Sequence, residues 1–114
     1  MNDLHDLICK AWESMSEYER SVVAGKADGH KVFSENRRER GQSVFSVVRE
    51  GEECEPGGLL ILARLCLSLS VRGSAARYGI AYPGISNMEN GKRVPAGVYM
   101  QGLADDLVSV YDLS

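Results

Sequence analysis

The chain has 114 residues, 44% hydrophobic and 25% charged, with net charge −3 at pH 7. That size suits one core rather than two large ones, and the composition is that of an ordinary globular protein with an aliphatic interior. The longest apolar stretch, residues 59–69, is broken by Arg64 and is far shorter than the roughly 20 residues of a membrane span. The opening "MNDLHDLICK" has acids where a signal peptide has cations, so a cytoplasmic protein without a membrane segment is expected.

Leu4, Leu7, Ile8, Ala11, Trp12, Met15, Val22 and Val23 recur at three- and four-residue steps. This spacing predicts one amphipathic helix over residues 2–24, stopped by the glycine-bearing residues 25–29. On such a stripe Trp12 is a core residue; facing solvent, it marks a partner surface. A weaker helical segment is expected over residues 30–40, where "ENRRER" interleaves acids with arginines and reads as a solvated face. "QSVFSVVREG" fits a helix turn or a short strand, and helix is preferred because nothing else supplies a strand partner. "EGEECEPGG", residues 50–58, reads as a breaker.

Beyond it, Leu59, Leu62, Ala63, Cys66 and Leu69 mark a buried helix stripe. Ser70 is placed to cap a short helix from Val71 to Tyr78, ending at Gly79. A third helix is expected over residues 82–90, with Pro83 tolerated in its first turn and Asn90-Gly91 as its stop. After Pro95, the positions Val98, Tyr99, Leu103, Leu107 and Val110 predict a last amphipathic helix.

Charge is uneven along the chain. Residues 1–56 hold eight Lys/Arg against twelve Asp/Glu; residues 57–114 hold five against four, and three of those four acids lie near the C-terminus. Arg64, Arg72, Arg77, Lys92 and Arg93 therefore make a locally basic segment. An acidic chain still binds phosphate when its cations gather on one face. No nucleophile–base pair or phosphate-cradling glycine loop can be assembled, so an enzyme is not expected. Cys9, Cys54 and Cys66 with His5 and His30 have no metal-ligand spacing, so no metal or cofactor is expected, and Cys9 and Cys66 read as small apolar packing residues.

Two short helices joined by a glycine turn, among flanking helices, follow the helix-turn-helix plan. Ile61 and Arg64, Leu69-Ser70, Ala75, Gly79-Ile80, Ile85-Ser86, Met88-Glu89, Gly91-Lys92-Arg93, Pro95, Leu103-Ala104 and Leu107 stand in one ungapped register. Over about residues 58–110 the chain resembles the phage-repressor-like, XRE-type helix-turn-helix family. The resemblance implies an all-α fold: a five-helix repressor-like domain over residues 57–114, with a helical N-terminal extension over residues 1–56. It further implies a sequence-specific regulator of transcription, a repressor in the first instance, acting on double-stranded DNA as a homodimer. The acidic N-terminal helices would serve dimerisation, a protein partner, or packing against the other half.

Within that pattern, Arg72, Arg77, Lys92 and Arg93 are candidate phosphate anchors, and Tyr82, Ser86 and Asn87 candidate readers of base edges. Ser86 equally suits a core-facing position. Ala75, Gly79, Ile85 and Gly91 read as structural, with Ala75 allowing the two helices to cross closely. Glu89 is expected to pair with Arg64 and lock the third helix to the first. The chain departs from the family where DNA is normally touched. Val71 replaces a phosphate-binding Gln, Ser74 replaces a buried Leu, and Gly73 weakens its helix by about 1 kcal/mol relative to Ala. Ala81 caps poorly, and Pro83 and Gly84 offer bases no side-chain hydrogen bonds. The alternative is a protein-binding regulator on the same scaffold, such as an antitoxin, an anti-activator or a phage-encoded inhibitor.

Overall fold

In the computed structural model, the described residues are 4–28 and 56–113. They form six α-helices and no strand, so the fold is all-α over this part of the chain. The segments expected at residues 30–40 and 42–51 lie outside the described residues.

Helix α1 (Leu4–Ser14) buries Leu4, Leu7, Ile8, Ala11 and Trp12, the inward stripe of a 3.6-residue period. The single helix expected over residues 2–24 is in fact two. The Ser16 hydroxyl accepts from the Glu19 N–H, and the Glu19 carboxylate accepts from the Ser16 N–H, both at 3.2 Å. This reciprocal capping box starts α2 (Glu17–Asp28). Arg20 braces the corner: Nε donates to the Trp12 carbonyl at 2.8 Å and Nη2 to that of Glu13 at 3.0 Å. Its guanidinium also lies over the Trp12 ring, 5.8 Å from the centroid. Helix α2 runs through Gly25, which was expected to help end it, because Val23 and Ala27 on either side are buried. Val22 falls on the solvent side of this second helix rather than on the core stripe.

Helix α3 (Pro56–Cys66) begins inside the stretch expected to break structure. Pro56 sits in its first turn, where the missing N–H costs nothing. From Gly57 to Cys66 only Leu59 is not fully buried, so α3 is the central helix. Helices α1 and α2 pack on it, as do two later helices, Tyr82–Glu89 and Gly97–Tyr111. Gly57 explains the close approach on one side: a Cβ there would stand 2.2 Å from the Glu89 carbonyl oxygen.

The chain leaves α3 through Ser68 (φ 57°) and turns by 87° into α4 (Val71–Tyr78). The Ser70 side chain accepts from the Gly73 N–H at 2.9 Å, and Gly79 closes the helix at φ 66°. Helix α5 (Tyr82–Glu89) follows after Ile80 and Ala81, and α6 (Gly97–Tyr111) closes the bundle. Tyr99, Leu103 and Leu107 of α6 are wholly buried, four residues apart. Val98 and Val110, expected on the same stripe, are exposed: Val98 is one residue out of phase with Tyr99, whereas Val110 keeps the phase of Leu103 but lies in the last turn of the helix. The core residues of α1 and α2 join those of α3, α5 and α6 in one apolar cluster. Trp12 belongs to it at 3% exposure and offers no surface to a partner. No single helix among the described residues is long and apolar enough to cross a membrane.

Candidate nucleic-acid interface

Helix α5 is held from beneath and bare above. Ile85 and Met88 are buried, which fixes the roll of the helix and turns Asn87 to solvent, while Tyr82 is exposed where it opens the helix. Its start is weakly secured, since Ala81 makes no side-chain cap bond and Pro83 occupies the first turn. Its end is secured better. Gly91, at φ 76°, reverses the chain so that the N–H groups of Lys92 and Arg93 both donate to the Asn87 carbonyl, at 2.9 and 3.2 Å. The Ala96 N–H then donates to the Met88 sulfur at 3.2 Å, tying the returning loop to the core.

Glu89, the one acid on α5, is neutralised. Arg64 Nε and Nη2 donate to its two carboxylate oxygens at 2.9 and 3.0 Å, while Nη1 donates to the Leu69 carbonyl at 3.0 Å. The outward face of α5 therefore carries no uncompensated negative charge.

The cations divide into two groups. Arg72, exposed on α4, stacks over the Tyr82 ring at 5.5 Å. Lys92 and Arg93 are exposed at the other end of α5, and none of these three has an ion-pair partner among the described residues. Arg93 reaches back along the helix; its Nη1 lies 3.2 Å from where a Gly84 Cβ would stand. Gly84 thus admits the guanidinium beside the first turn of α5.

Arg77, expected as an anchor, is engaged by a carboxylate. Its Nε and Nη2 donate to the Asp106 carboxylate at 2.6 and 2.9 Å, and the Tyr78 hydroxyl donates to the same group. A guanidinium so engaged braces α4 against α6. The same bonds from Arg77, and less strongly from Tyr78, hold the Asp106 carboxyl below its ordinary pKa, although partial burial opposes them.

Ala75 packs against the core from α4. The fully buried residue of α4 is Ser74, whereas Ala75 is half-buried and contributes its carbonyl to the Gly79 and Ile80 N–H groups. Ser86 is half-buried, and its hydroxyl accepts from the Asn90 side chain at 3.3 Å, leaving Tyr82 and Asn87 as the outward polar groups. Sequence reasoning did not find Asp106 or Tyr78, because no local spacing links α4 to a residue 28 or 29 positions on. Among the described residues no group of His, Cys, Asp and Glu could hold a metal ion.

Compared with protein-family models, curated proteins and solved structures, the chain matches none. What α5 can do therefore rests on its own chemistry. A short convex helix, free of net negative charge and flanked by cations, suits a polyanion whose backbone runs past both ends. The phenol of Tyr82 and the amide of Asn87 face outward beside those cations.

Proposed function

We propose that the protein is a sequence-specific DNA-binding regulator of transcription, most simply a cytoplasmic repressor, built on a helix-turn-helix of the XRE type. In this reading α4 braces, α5 enters the major groove, and two copies address a two-fold site. The observation that carries it is the exposed face of α5, with Tyr82 and Asn87 outward, Arg72 and the returning Arg93 guanidinium beside its first turn, and Lys92 beyond its last, none of the three with an ion-pair partner among the described residues. Anchoring is the work of Arg72, Lys92 and Arg93, while Asn87 is suited to the paired donor and acceptor of an adenine edge. Arg77 contributes through Asp106 by holding α4 in place.

Mobility shift of duplex DNA, at low and then moderate salt, tests the reading. Binding that weakens steeply as salt rises is the expected result, since each neutralised phosphate releases counterions. No shift at low salt would overturn it.

A protein-binding regulator on the same scaffold is the second reading. Val94 and Val98, 84% and 79% exposed beside Lys92 and Arg93, are the observation in its favour. Large apolar side chains left in water beside cations suit a protein surface at least as well as a phosphate backbone.

A further inference from the structure

The loop that returns from α5 encloses, with the first turn of α3, a cleft of about 430 Å³. Its wall is apolar at Met88, Val94 and Pro95, and its cations are Lys92 and Arg93. That volume falls in the range of small-molecule sites, and so does the combination of apolar lining with a few convergent polar groups. Among the described residues that line it, the one carboxylate is that of Glu89, and it is held by Arg64. Gly57 closes the base of the cleft, where α3 meets the end of α5.

We propose that this cleft binds a small organic anion with an apolar body, an aryl or medium-chain carboxylate, and that its occupation regulates α5. The apolar body lies against Met88, Val94 and Pro95, and the carboxylate meets Lys92 and Arg93. Neither cation has an ion-pair partner among the described residues, so the carboxylate displaces no internal bond. Arg93 makes the link to α5: it lines the cleft, yet its guanidinium extends to Gly84 on the first turn of that helix. An anion in the cleft draws this group inward and removes one cation from the face offered to DNA. The site stands without the DNA-binding reading; the regulatory consequence rests on it.

The test uses the full chain, isotope-labelled, without DNA. 4-Phenylbutyrate is titrated against 4-phenyl-1-butanol and against inorganic phosphate, following backbone amide shifts. The acid should saturate shifts at Gly57, Gly91, Lys92 and Val94, with the alcohol and phosphate each weaker by about tenfold or more, the scale of one charge-assisted contact or of the lost apolar area. In a Lys92→Ala/Arg93→Ala double variant, both changes being at exposed positions, the acid's advantage should vanish while the alcohol binds as before. Equal affinity for acid and alcohol, equal affinity for phosphate, or shifts confined to other residues would each overturn the site. Adding the acid to a DNA complex should then weaken it, and an unchanged complex would overturn the regulatory half. A protein that binds the acid but no DNA would refute the proposed function and leave the site standing.

Discussion

Arg64 and Glu89 form a two-point ion pair across 25 positions, and both side chains are nearly withdrawn from water, at 3% and 7% exposure. Arg64 belongs to the central helix and Glu89 to the last turn of α5, so the pair fixes the outward helix to the core. Removing one partner of such a pair leaves an uncompensated buried charge, which costs about 3–5 kcal/mol. Glu89→Ala should therefore lower the unfolding free energy measured in urea by that much, and Glu89→Gln by less, because the amide keeps one acceptor. The Arg64→Met/Glu89→Leu double variant should recover most of the loss. A Glu89→Ala protein as stable as wild type would show that the pair does not hold α5.

Asp106 gives the protein a specific acid sensitivity. Its folded-state pKa lies below the ordinary value, so its contribution is present above the unfolded carboxyl pKa, about 3.9, and is lost as pH falls through the lower folded value. Asp106→Asn cannot be protonated in this range. Its melting temperature should start below wild type at pH 7 and fall less between pH 5 and pH 2. Parallel curves for the two proteins would mean that the Arg77–Asp106–Tyr78 contact does not couple to folding.

Two glycines in helices should respond oppositely to alanine. At Gly57 a Cβ meets the Glu89 carbonyl oxygen and carbon at 2.2 and 2.8 Å, backbone atoms that cannot rotate away. Gly57→Ala should destabilise by about 1–3 kcal/mol, the ordinary cost of overpacking. At Gly25 nothing lies within 4 Å of the added carbon. Gly25→Ala should stabilise by about 0.5–1 kcal/mol through helix propensity and a less free unfolded chain. Chemical denaturation of both variants distinguishes a close contact at the α3–α5 junction from an open one.

Local signals in the sequence account for most of the helices. Ser70 and Gly79 bound α4 because a cap and a left-handed glycine act within a turn of where they stand. Pro83 and Gly91 mark α5 for the same reason. The break between α1 and α2 was also legible, in Ser16 and Glu19, but the continuous apolar stripe masked it. A helix begins at Pro56, inside the expected breaker, and the next two residues, Gly57 and Gly58, are buried, a tertiary effect that no local pattern reports. The site divides in the same way. Asn87 faces outward by helical phase alone once Ile85 and Met88 face inward, whereas Tyr82, three residues before Ile85, owes its exposure to its place at the start of the helix. The engagement of Arg77 by Asp106 and the reach of Arg93 to Gly84 depend on how α4 meets α6 and how a loop returns, and the sequence carries no spacing for either. The pairing of Arg64 with Glu89 came from the family resemblance, since 25 intervening residues leave no periodic trace.

That division of the cations yields a last expectation, about salt. Each lysine or arginine that neutralises a phosphate adds about one to the slope of log binding constant against log salt concentration. Arg93→Ala and Lys92→Ala should each weaken binding to every duplex alike and reduce the slope by about one. Arg77→Ala should leave the slope near its wild-type value, because its guanidinium is already spent on Asp106. Asn87→Ala should also keep the slope, yet narrow the difference between the preferred sequence and others, since a base-edge contact carries sequence and no counterion. Filter binding at four salt concentrations measures all four variants on one scale. Should Arg77→Ala reduce the slope as Arg93→Ala does, then Arg77 leaves Asp106 on meeting DNA, and the brace between α4 and α6 is exchanged for a phosphate contact.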